Sequence, residues 1–242
     1  MSFESGADAL VPDELSGGLI VERLGGRTSV ADLAYDAIRG AILRMDVYDP
    51  GAELRLDEKR IAADLGVSRT PVRLAFARLE LEGLVQIVAR RGVYIVRKTK
   101  DEIVEMITVW AALEGMAGRL ACTRATDAEI ARLRGLFAEF GAETVRLYLD
   151  EYSTANLRFH QHIIELGHSP LIAQMAARLL AHVRAIRRHA IRQEDRVERS
   201  MVDHEHIIEA LEARDPELTE RRVRDHALNL AAHVQRVDDY LD

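Results

Sequence analysis

The sequence predicts a mostly α-helical protein of two domains. Of its 242 residues, 48% are hydrophobic but only 5% are aromatic, a balance that favours packed helices over a β-sandwich. The length exceeds the commonest domain size of roughly 100–150 residues, which favours two domains over one. Apolar residues recur at helical spacing through most of the chain, and the main exceptions are two short β-rich runs near residue 90.

The composition excludes several classes of protein. The single cysteine, Cys122, cannot form an internal disulfide, and without a CxxC pair there is no zinc knuckle or dithiol redox site. No apolar run approaches the ~20 residues needed to span a bilayer, and the first residues are acidic where a signal peptide is basic. We therefore expect a cytoplasmic protein without a membrane partner.

Residues 1–28 mix Gly, Ser, Asp and Glu without sustained periodicity, which predicts a mobile N-terminal arm. Helical spacing of apolar residues begins after Ser29, a suitable N-cap, and continues to about Met45. The sequence Asp49-Pro50-Gly51 then predicts a turn. The first ordered element is therefore expected to be a helix.

A helix-turn-helix motif is predicted next. A short helix from about Asp57 ends before Gly66, and another follows almost at once with Ser68 or Thr70 as its N-cap and Pro71 in its first turn. In the later helix Val72, Phe76 and Leu79 should face the core, whereas Arg69 and Arg73 share an outward face near its start. A recognition helix presents its side chains to the major groove from that position.

Two β-rich runs, Leu84 to Val88 and Val93 to Val96, predict a hairpin after these helices. Its tip carries Arg90, Arg91 and Gly92, of which the glycine can adopt a positive φ. Helix-turn-helix plus hairpin is a winged helix-turn-helix, and we expect it to span residues 29–98.

The charge is distributed unevenly along the chain. Residues 51–100 hold 11 Lys and Arg against 6 Asp and Glu, although the net charge of the whole chain is −7. Screening over ~10 Å lets such a basic segment meet phosphates independently of the acidic segments. The charge alone does not exclude the alternative to phosphate binding, which is a basic surface that only faces solvent.

The stretch LDEKRIAADLGVSRTPVRLAFARLELEGLVQIVARRGVYIV resembles the DNA-binding domain of the GntR family of bacterial transcription regulators. GVSRTPVR is its most specific part, and Leu74 departs from the Glu that is frequent there. The resemblance implies that a double-stranded operator is contacted by Lys59, Arg69, Thr70, Arg73 and Gly92. Arg90 and Arg91 add cations at the wing. Arginines suit guanine edges, whereas Thr70 and Lys59 suit phosphates.

From residue 99 to 242 the composition turns acidic, and the pattern predicts an all-helical domain. The expected helices are 101–121, 126–139, 142–167, 169–190, 196–213 and 216–240. No glycine-rich phosphate loop and no GxSxG motif occurs.

All nine histidines lie in this second half. Asn156 and His160 are four residues apart and share one helix face, while His204 and His226 lie on two other predicted helices. If these helices converge, the four side chains could surround one divalent cation, and neutral imidazoles suit Zn²⁺ or Ni²⁺. By spacing alone this signal is weak, because a histidine on a helix is usually a surface residue or a hydrogen-bonded core residue.

The segments ANLRFHQHIIELGHSP and HEHIIEALEARDPELTERRVRDH resemble the all-helical effector domain called FCD, which accompanies the GntR-type winged helix in the FadR-like subfamily. The resemblance implies that Asn156, His160, His204 and His226 are metal ligands. Asn supplies a neutral oxygen where Asp is the charged alternative, so the site should be more positive and attract a carboxylate.

A third segment, ITVWAALEGMAGRLA, resembles the first FCD helix but places Trp110 where an arginine is common. We therefore expect a less polar or aromatic effector, with the indole as a stacking face in the effector pocket. The alternative is that Trp110 only fills core space. Arg184, Arg187 and Arg188 could supply an anion partner from another helix, although a solvated charge run is the favoured interpretation. No role is assigned to His162, His168, His182, His189, His206 or His233.

These features predict a homodimeric DNA-binding transcriptional regulator, in the simplest case a repressor, that reads a pseudo-palindromic operator. Its helical domain would bind a divalent metal and a small organic or aromatic acid. The alternative is a metal-dependent hydrolase in which a three-histidine zinc activates water and Glu205 or Glu151 acts as base. A third interpretation makes the metal structural and places the effector pocket elsewhere.

Overall fold

The computed structural model describes residues 29–49, 51–141, 145–191 and 196–237, so the predicted N-terminal arm lies outside the described residues. The first elements are α1 (Val30–Arg44), β1 (Arg55–Leu56), α2 (Glu58–Asp64), α3 (Arg69–Leu81), β2 (Val85–Val88) and β3 (Gly92–Ile95). They form the predicted winged helix-turn-helix.

Local sequence explains where the first helices begin. Ser29 and Asp32 form a capping box at the start of α1. The Asp57 carboxylate accepts the backbone N–H groups of residues 59 and 60 at the start of α2. Ser68 is the N-cap residue of α3. The core prediction for α3 is confirmed, because Val72, Phe76 and Leu79 are all at most 1% exposed.

The predicted hairpin is confirmed, and the sheet has one strand more than the sequence predicted. All three strands are antiparallel in the order β1-β3-β2, with Arg55 opposite Tyr94. Two-residue β1 is too short to show an alternating pattern, which is why the sequence did not predict it. Gly92 opens β3 at φ +121°, a backbone conformation that other residues rarely adopt.

Helices α4 (Lys100–Arg124), α5 (Asp127–Gly135), α6 (Leu149–Leu166), α7 (Pro170–Ala190), α8 (Arg196–Glu212) and α9 (Pro216–Val237) form the predicted helical bundle. Helix α4 is central and packs against α6, α7, α8 and α9. Among the described residues, none of the helices combines the length and apolarity that crossing a bilayer requires.

Two predicted helices were too long. The helix expected from residue 126 to 139 ends at Gly135, and the following turn, with Phe137 N–H bonded to the Arg134 carbonyl, directs Phe137 towards the core. The helix expected from residue 142 begins at Leu149, after a short 3₁₀ turn. Val145 in that turn is fully buried in an apolar cluster. In both places burial of an apolar side chain outweighs continuation of the helix.

Small residues allow α9 to approach α4 closely. A Cβ added to Gly118 would lie 3.1 Å from Thr219 Cγ2 and 3.2 Å from Val223 Cγ2, and one added to Gly115 would lie 3.3 Å from the Glu220 carbonyl oxygen. Larger side chains would force the two helices apart. The close approach matters for the site described below, because α4 and α9 both contribute to it.

Candidate functional site

Three histidines from three helices converge inside the helical bundle. His160 of α6, His204 of α8 and His226 of α9 each offer a ring nitrogen, and these nitrogens lie within 4.8 Å of one another. All three side chains are buried. Ligands about 2.1 Å from a tetrahedral Zn²⁺ are about 3.4 Å apart, so small side-chain rotations would close the cluster around a cation.

Each of these imidazoles also has a hydrogen-bonding partner that orients its ring. In each ring Nδ1 contacts an oxygen of a neighbouring side chain, so Nε2 is the nitrogen that would bind a metal. Metal-binding histidines usually have such a partner, because it fixes their orientation and tautomer. The contacts are His160 Nδ1 with Glu114 Oε1 at 2.5 Å, His226 Nδ1 with Asp203 Oδ2 at 2.9 Å and His204 Nδ1 with the Tyr152 hydroxyl at 3.3 Å. At present Nε2 of His160 accepts from Arg187 Nη1 at 2.6 Å, and Nε2 of His204 lies 3.5 Å from Ser200 Oγ.

Burial keeps two of the three imidazoles neutral. Desolvation lowers the pKa of His160 and of His204 well below the usual value, and nearby positive charge, including that of Arg187, lowers it further. Neutral imidazole is the form that ligates a metal.

Asn156 lies one helical turn before His160 on α6. Its side chain is buried, and its Oδ1 has no hydrogen-bond partner among the described residues. Leaving such an acceptor unpaired costs about 1–3 kcal/mol, which a bound cation would relieve. The residues present therefore fit a divalent metal with one amide oxygen and three imidazole nitrogens as ligands.

Trp110 of α4 contacts Glu114, which in turn contacts His160. It is 1% exposed, and its Nε1–H donates to Glu114 Oε2 at 2.7 Å. The Arg187 guanidinium carbon lies 5.6 Å from the centre of the indole ring. Desolvation raises the pKa of Glu114 to about 7, against the opposing effects of Arg187 and Trp110. A direct contact between Trp110 and a ligand remains a prediction.

Arg187 corrects the interpretation of the α7 arginines as a solvated charge run. Its side chain is buried in the bundle, where its Nη1 donates to His160 Nε2 at 2.6 Å. Desolvation lowers its pKa to about 10, which leaves it cationic at neutral pH. The side chains of Arg188 and His189 lie outside what the structure describes.

Two cavities flank the histidine cluster. One, of about 380 Å³, lies beside Asp203 between α8 and α9, where Arg196, Arg199 and Arg236 line it. The other, of about 350 Å³, is lined by His204, Phe137, Phe140 and Met201. The Phe137 and His204 rings stack with centroids 4.7 Å apart. The sequence analysis did not predict that Phe137 and Phe140 line a cavity, because it extended the α5 helix to residue 139.

The predicted DNA-contacting residues lie in the winged helix-turn-helix. Arg69 and Arg73 project from the first turns of α3, and their side chains are 58% and 63% exposed. Both bond to Glu58 of α2, with Arg73 Nε 2.9 and 3.0 Å from its two carboxylate oxygens. Glu58, which sequence analysis missed, therefore holds the two guanidinium groups side by side.

The other predicted contacts are at the start of the helices and at the wing. Lys59 and Thr70 are exposed near Glu58, and Arg90 and Arg91 are exposed at the hairpin tip beside Gly92. Arg55 lies against the wing, since a Cβ on Gly92 would be 3.5 Å from Arg55 Nε. Sequence analysis did not include this cation because β1 had not been predicted.

The two halves of the chain match known domains. Residues 31–95 match the gntR family of bacterial regulatory proteins, and residues 105–229 match the FCD domain. A relative named "Probable D-xylose utilization operon transcriptional repressor", from Paenarthrobacter nicotinovorans, is 32% identical over 209 residues, which cover 83% of this chain and 86% of the relative.

Two further similarities agree with this assignment. An HTH-type transcriptional regulator from the TAR-I ttuE-ttuC' intergenic region of Agrobacterium vitis is 41% identical over 142 residues, 57% of this chain and 80% of the relative. The solved structure of McbR/YncC from Escherichia coli has the same fold, with a TM-score of 0.69 at 20% identity, covering 87% of this chain and 99% of that one. This chain therefore belongs to the GntR family of bacterial transcription regulators and carries an FCD domain.

Proposed function

We propose that the chain is a homodimeric repressor whose operator affinity is lowered by a small carboxylic acid bound beside a divalent metal. Residues 29–98 would form the DNA-binding domain, and residues 99–242 the domain for metal, effector and dimer contacts. The observation that carries the proposal is the buried cluster of His160, His204 and His226, with the unpaired Oδ1 of Asn156 one helical turn before His160. The protein would act in the cytoplasm, where bacterial operators lie.

The winged helix-turn-helix supports binding to a pseudo-palindromic operator. The exposed guanidinium groups at the start of α3 would make bidentate contacts to guanine in the major groove, each worth about 1–3 kcal/mol of discrimination. Repression rather than activation is supported by the relative from P. nicotinovorans, which is named a repressor.

The proposed metal ligands are Asn156, His160, His204 and His226. When bound, a Zn²⁺ or Ni²⁺ ion would supply a positive centre for an acid's carboxylate. Glu114 and Asp203 would orient two of the imidazoles from behind. The neutral Asn oxygen leaves the site with more positive charge than an Asp would.

The cavity beside His204 supports an aromatic or largely apolar acid. Phe137, Phe140 and Met201 line it, and His204 forms part of its wall. Such lining favours a ring or an aliphatic body with its carboxylate directed at the histidine cluster. Trp110 would act through Glu114 and Arg187, which its side chain contacts.

Helix α7 connects the proposed effector site to the recognition helix. Arg187 lies at the histidine cluster, and His182 of the same helix donates from Nε2 to the Glu82 carbonyl, the C-cap of α3, at 2.9 Å. The Glu82 carboxylate is held by Arg39 and by the Tyr35 hydroxyl of α1. A shift of α7 on effector binding would therefore move the end of α3.

Dimer formation is supported by an exposed apolar surface on two neighbouring helices. Val109 and Met116 are 44% and 41% exposed on α4, and Leu171 and Met175 are 66% and 48% exposed on α7. Helices α4 and α7 pack against each other, so these exposed side chains lie on neighbouring elements. A second copy of the chain would bury them.

The hydrolase interpretation finds no support. Regulators of this family are non-enzymatic DNA-binding proteins, and the chain is not an enzyme. Glu205, one of the two candidate bases, is an exposed partner of Arg134 at 2.6 Å. A purely structural metal remains the second candidate role for the cluster, because buried histidine ligands also stabilise folds.

Replacing Arg73 by alanine should weaken operator binding about 10-fold or more at a fixed salt concentration, because a guanidinium contact is lost. Fluorescence anisotropy with an operator selected from random DNA measures this. The matched control is Arg78→Ala, since Arg78 of the same helix pairs with Asp32. Equal affinities of the Arg73 variant and wild type would refute the recognition-surface assignment.

Elemental analysis of purified protein should find about one divalent metal ion per chain, because the cluster offers one set of ligands. His204→Ala should lose most of this metal, whereas His206→Ala should keep it, because His206 is not part of the cluster. Retained metal in the His204 variant would contradict the assignment. Unfolding of His204→Ala on circular dichroism would favour the structural role.

Replacing His182 by alanine should reduce the response to acid while both ligand affinities stay near wild type, because only the contact between α7 and α3 is lost. The release of operator DNA by benzoate, followed by anisotropy, measures the coupling. His162→Ala on α6, whose Nδ1 bonds to its own helix at the Arg158 carbonyl, is the control. Undiminished release in the His182 variant would exclude this route.

A further inference from the structure

Arg187 is a buried cation that uses little of its hydrogen-bonding capacity. It is 4% exposed, and Nη1 donates to His160 Nε2 at 2.6 Å. Its Nε and Nη2 atoms are buried and have no partner within the part of the chain that the structure describes. Buried donors are nearly always paired, so this edge of the guanidinium marks a place that a ligand would complete.

The surroundings of this edge favour an anion. The positive charge of Arg196, at the buried start of α8, acts on Arg187 and disfavours its charged form. The opposing carboxylate, Glu114, already contacts Trp110 and His160. A planar carboxylate matches the Nε and Nη2 edge of a guanidinium with two parallel hydrogen bonds.

The bond between Arg187 and His160 conflicts with the proposed metal site. His160 Nδ1 faces Glu114, so Nε2 is the nitrogen left for a metal. A cation on Nε2 would displace Nη1 and place two positive charges close together. A carboxylate between them would contact both and remove the repulsion.

We propose that Arg187 exchanges partners, leaving His160 when the metal binds and taking the carboxylate of a small organic acid that also contacts the metal. The inference rests on the proposed effector function and adds the residue that recognises the acid.

The first test uses metal alone. Zn²⁺ is titrated calorimetrically into chelator-stripped wild type, Arg187→Gln and the control Arg178→Gln, which removes an exposed arginine of the same helix. Arg187→Gln should bind Zn²⁺ about 10-fold more tightly than wild type, because the positive charge beside His160 is gone. Unchanged or weaker Zn²⁺ binding by this variant would overturn the exchange.

The second test adds acid. Benzoate and succinate are titrated into the zinc-loaded proteins, and Arg187→Gln should bind the responding acid at least about 10-fold more weakly, whereas Arg178→Gln should match wild type. Arg187→Lys keeps the charge without the planar fork, so it should lose acid binding without gaining Zn²⁺ affinity. Circular dichroism checks that each variant is folded.

The outcomes distinguish a failure of this inference from a failure of the proposed effector function. Acid binding by wild type that persists in Arg187→Gln overturns the role of Arg187 and leaves the effector function intact. Failure of zinc-loaded wild type to bind either acid overturns both. A preference for benzoate over succinate would indicate the aromatic cavity, and the reverse preference would indicate the arginine-lined cavity between α8 and α9.

Discussion

The hydrogen bonds from Glu114 to His160 and from Asp203 to His226 are the interactions on which the helical domain's site depends. Polar groups buried in a helical interior are costly unless they are paired, and these carboxylates pair one nitrogen of each imidazole. The pairing also requires α4, α6, α8 and α9 to stand in one arrangement. Gly115 and Gly118 permit it by letting α9 approach α4 closely.

The same network extends towards the DNA-binding domain. Tyr48, in the turn after α1, is buried among Ile103 and Ile107 of α4 and Val183 of α7, while His182 holds the end of α3. Burial lowers the pKa of His182, which keeps it neutral near pH 7 with a single ring N–H to donate. These two contacts between the domains are apolar or neutral and should depend little on ionic strength, whereas the Lys98–Glu102 ion pair at the domain boundary would be screened by salt.

Sequence analysis predicted the winged helix-turn-helix because GVSRTPVR with its glycine turn is a specific local signal. It predicted the three histidines because the segments that carry them resemble a known domain, whereas their spacing alone was a weak signal. It failed where tertiary contacts decided the outcome. Phe137 leaves α5 to stack on His204, and Arg187 is buried although it lies in a sequence run that also holds Arg184 and Arg188. Glu58 between Arg69 and Arg73 joins residues of two helices, a contact that the period of a single helix does not reveal.

The most direct test of the central claim measures operator affinity with and without acid in metal-loaded and chelator-stripped protein. Fluorescence anisotropy with the selected operator and benzoate or succinate gives all four dissociation constants. If the acid acts through the metal site, it lowers operator affinity by roughly 5–150-fold in the metal-loaded protein, the usual range of allosteric coupling, and has little effect on the stripped protein. Equal effects of the acid on both forms would contradict the account.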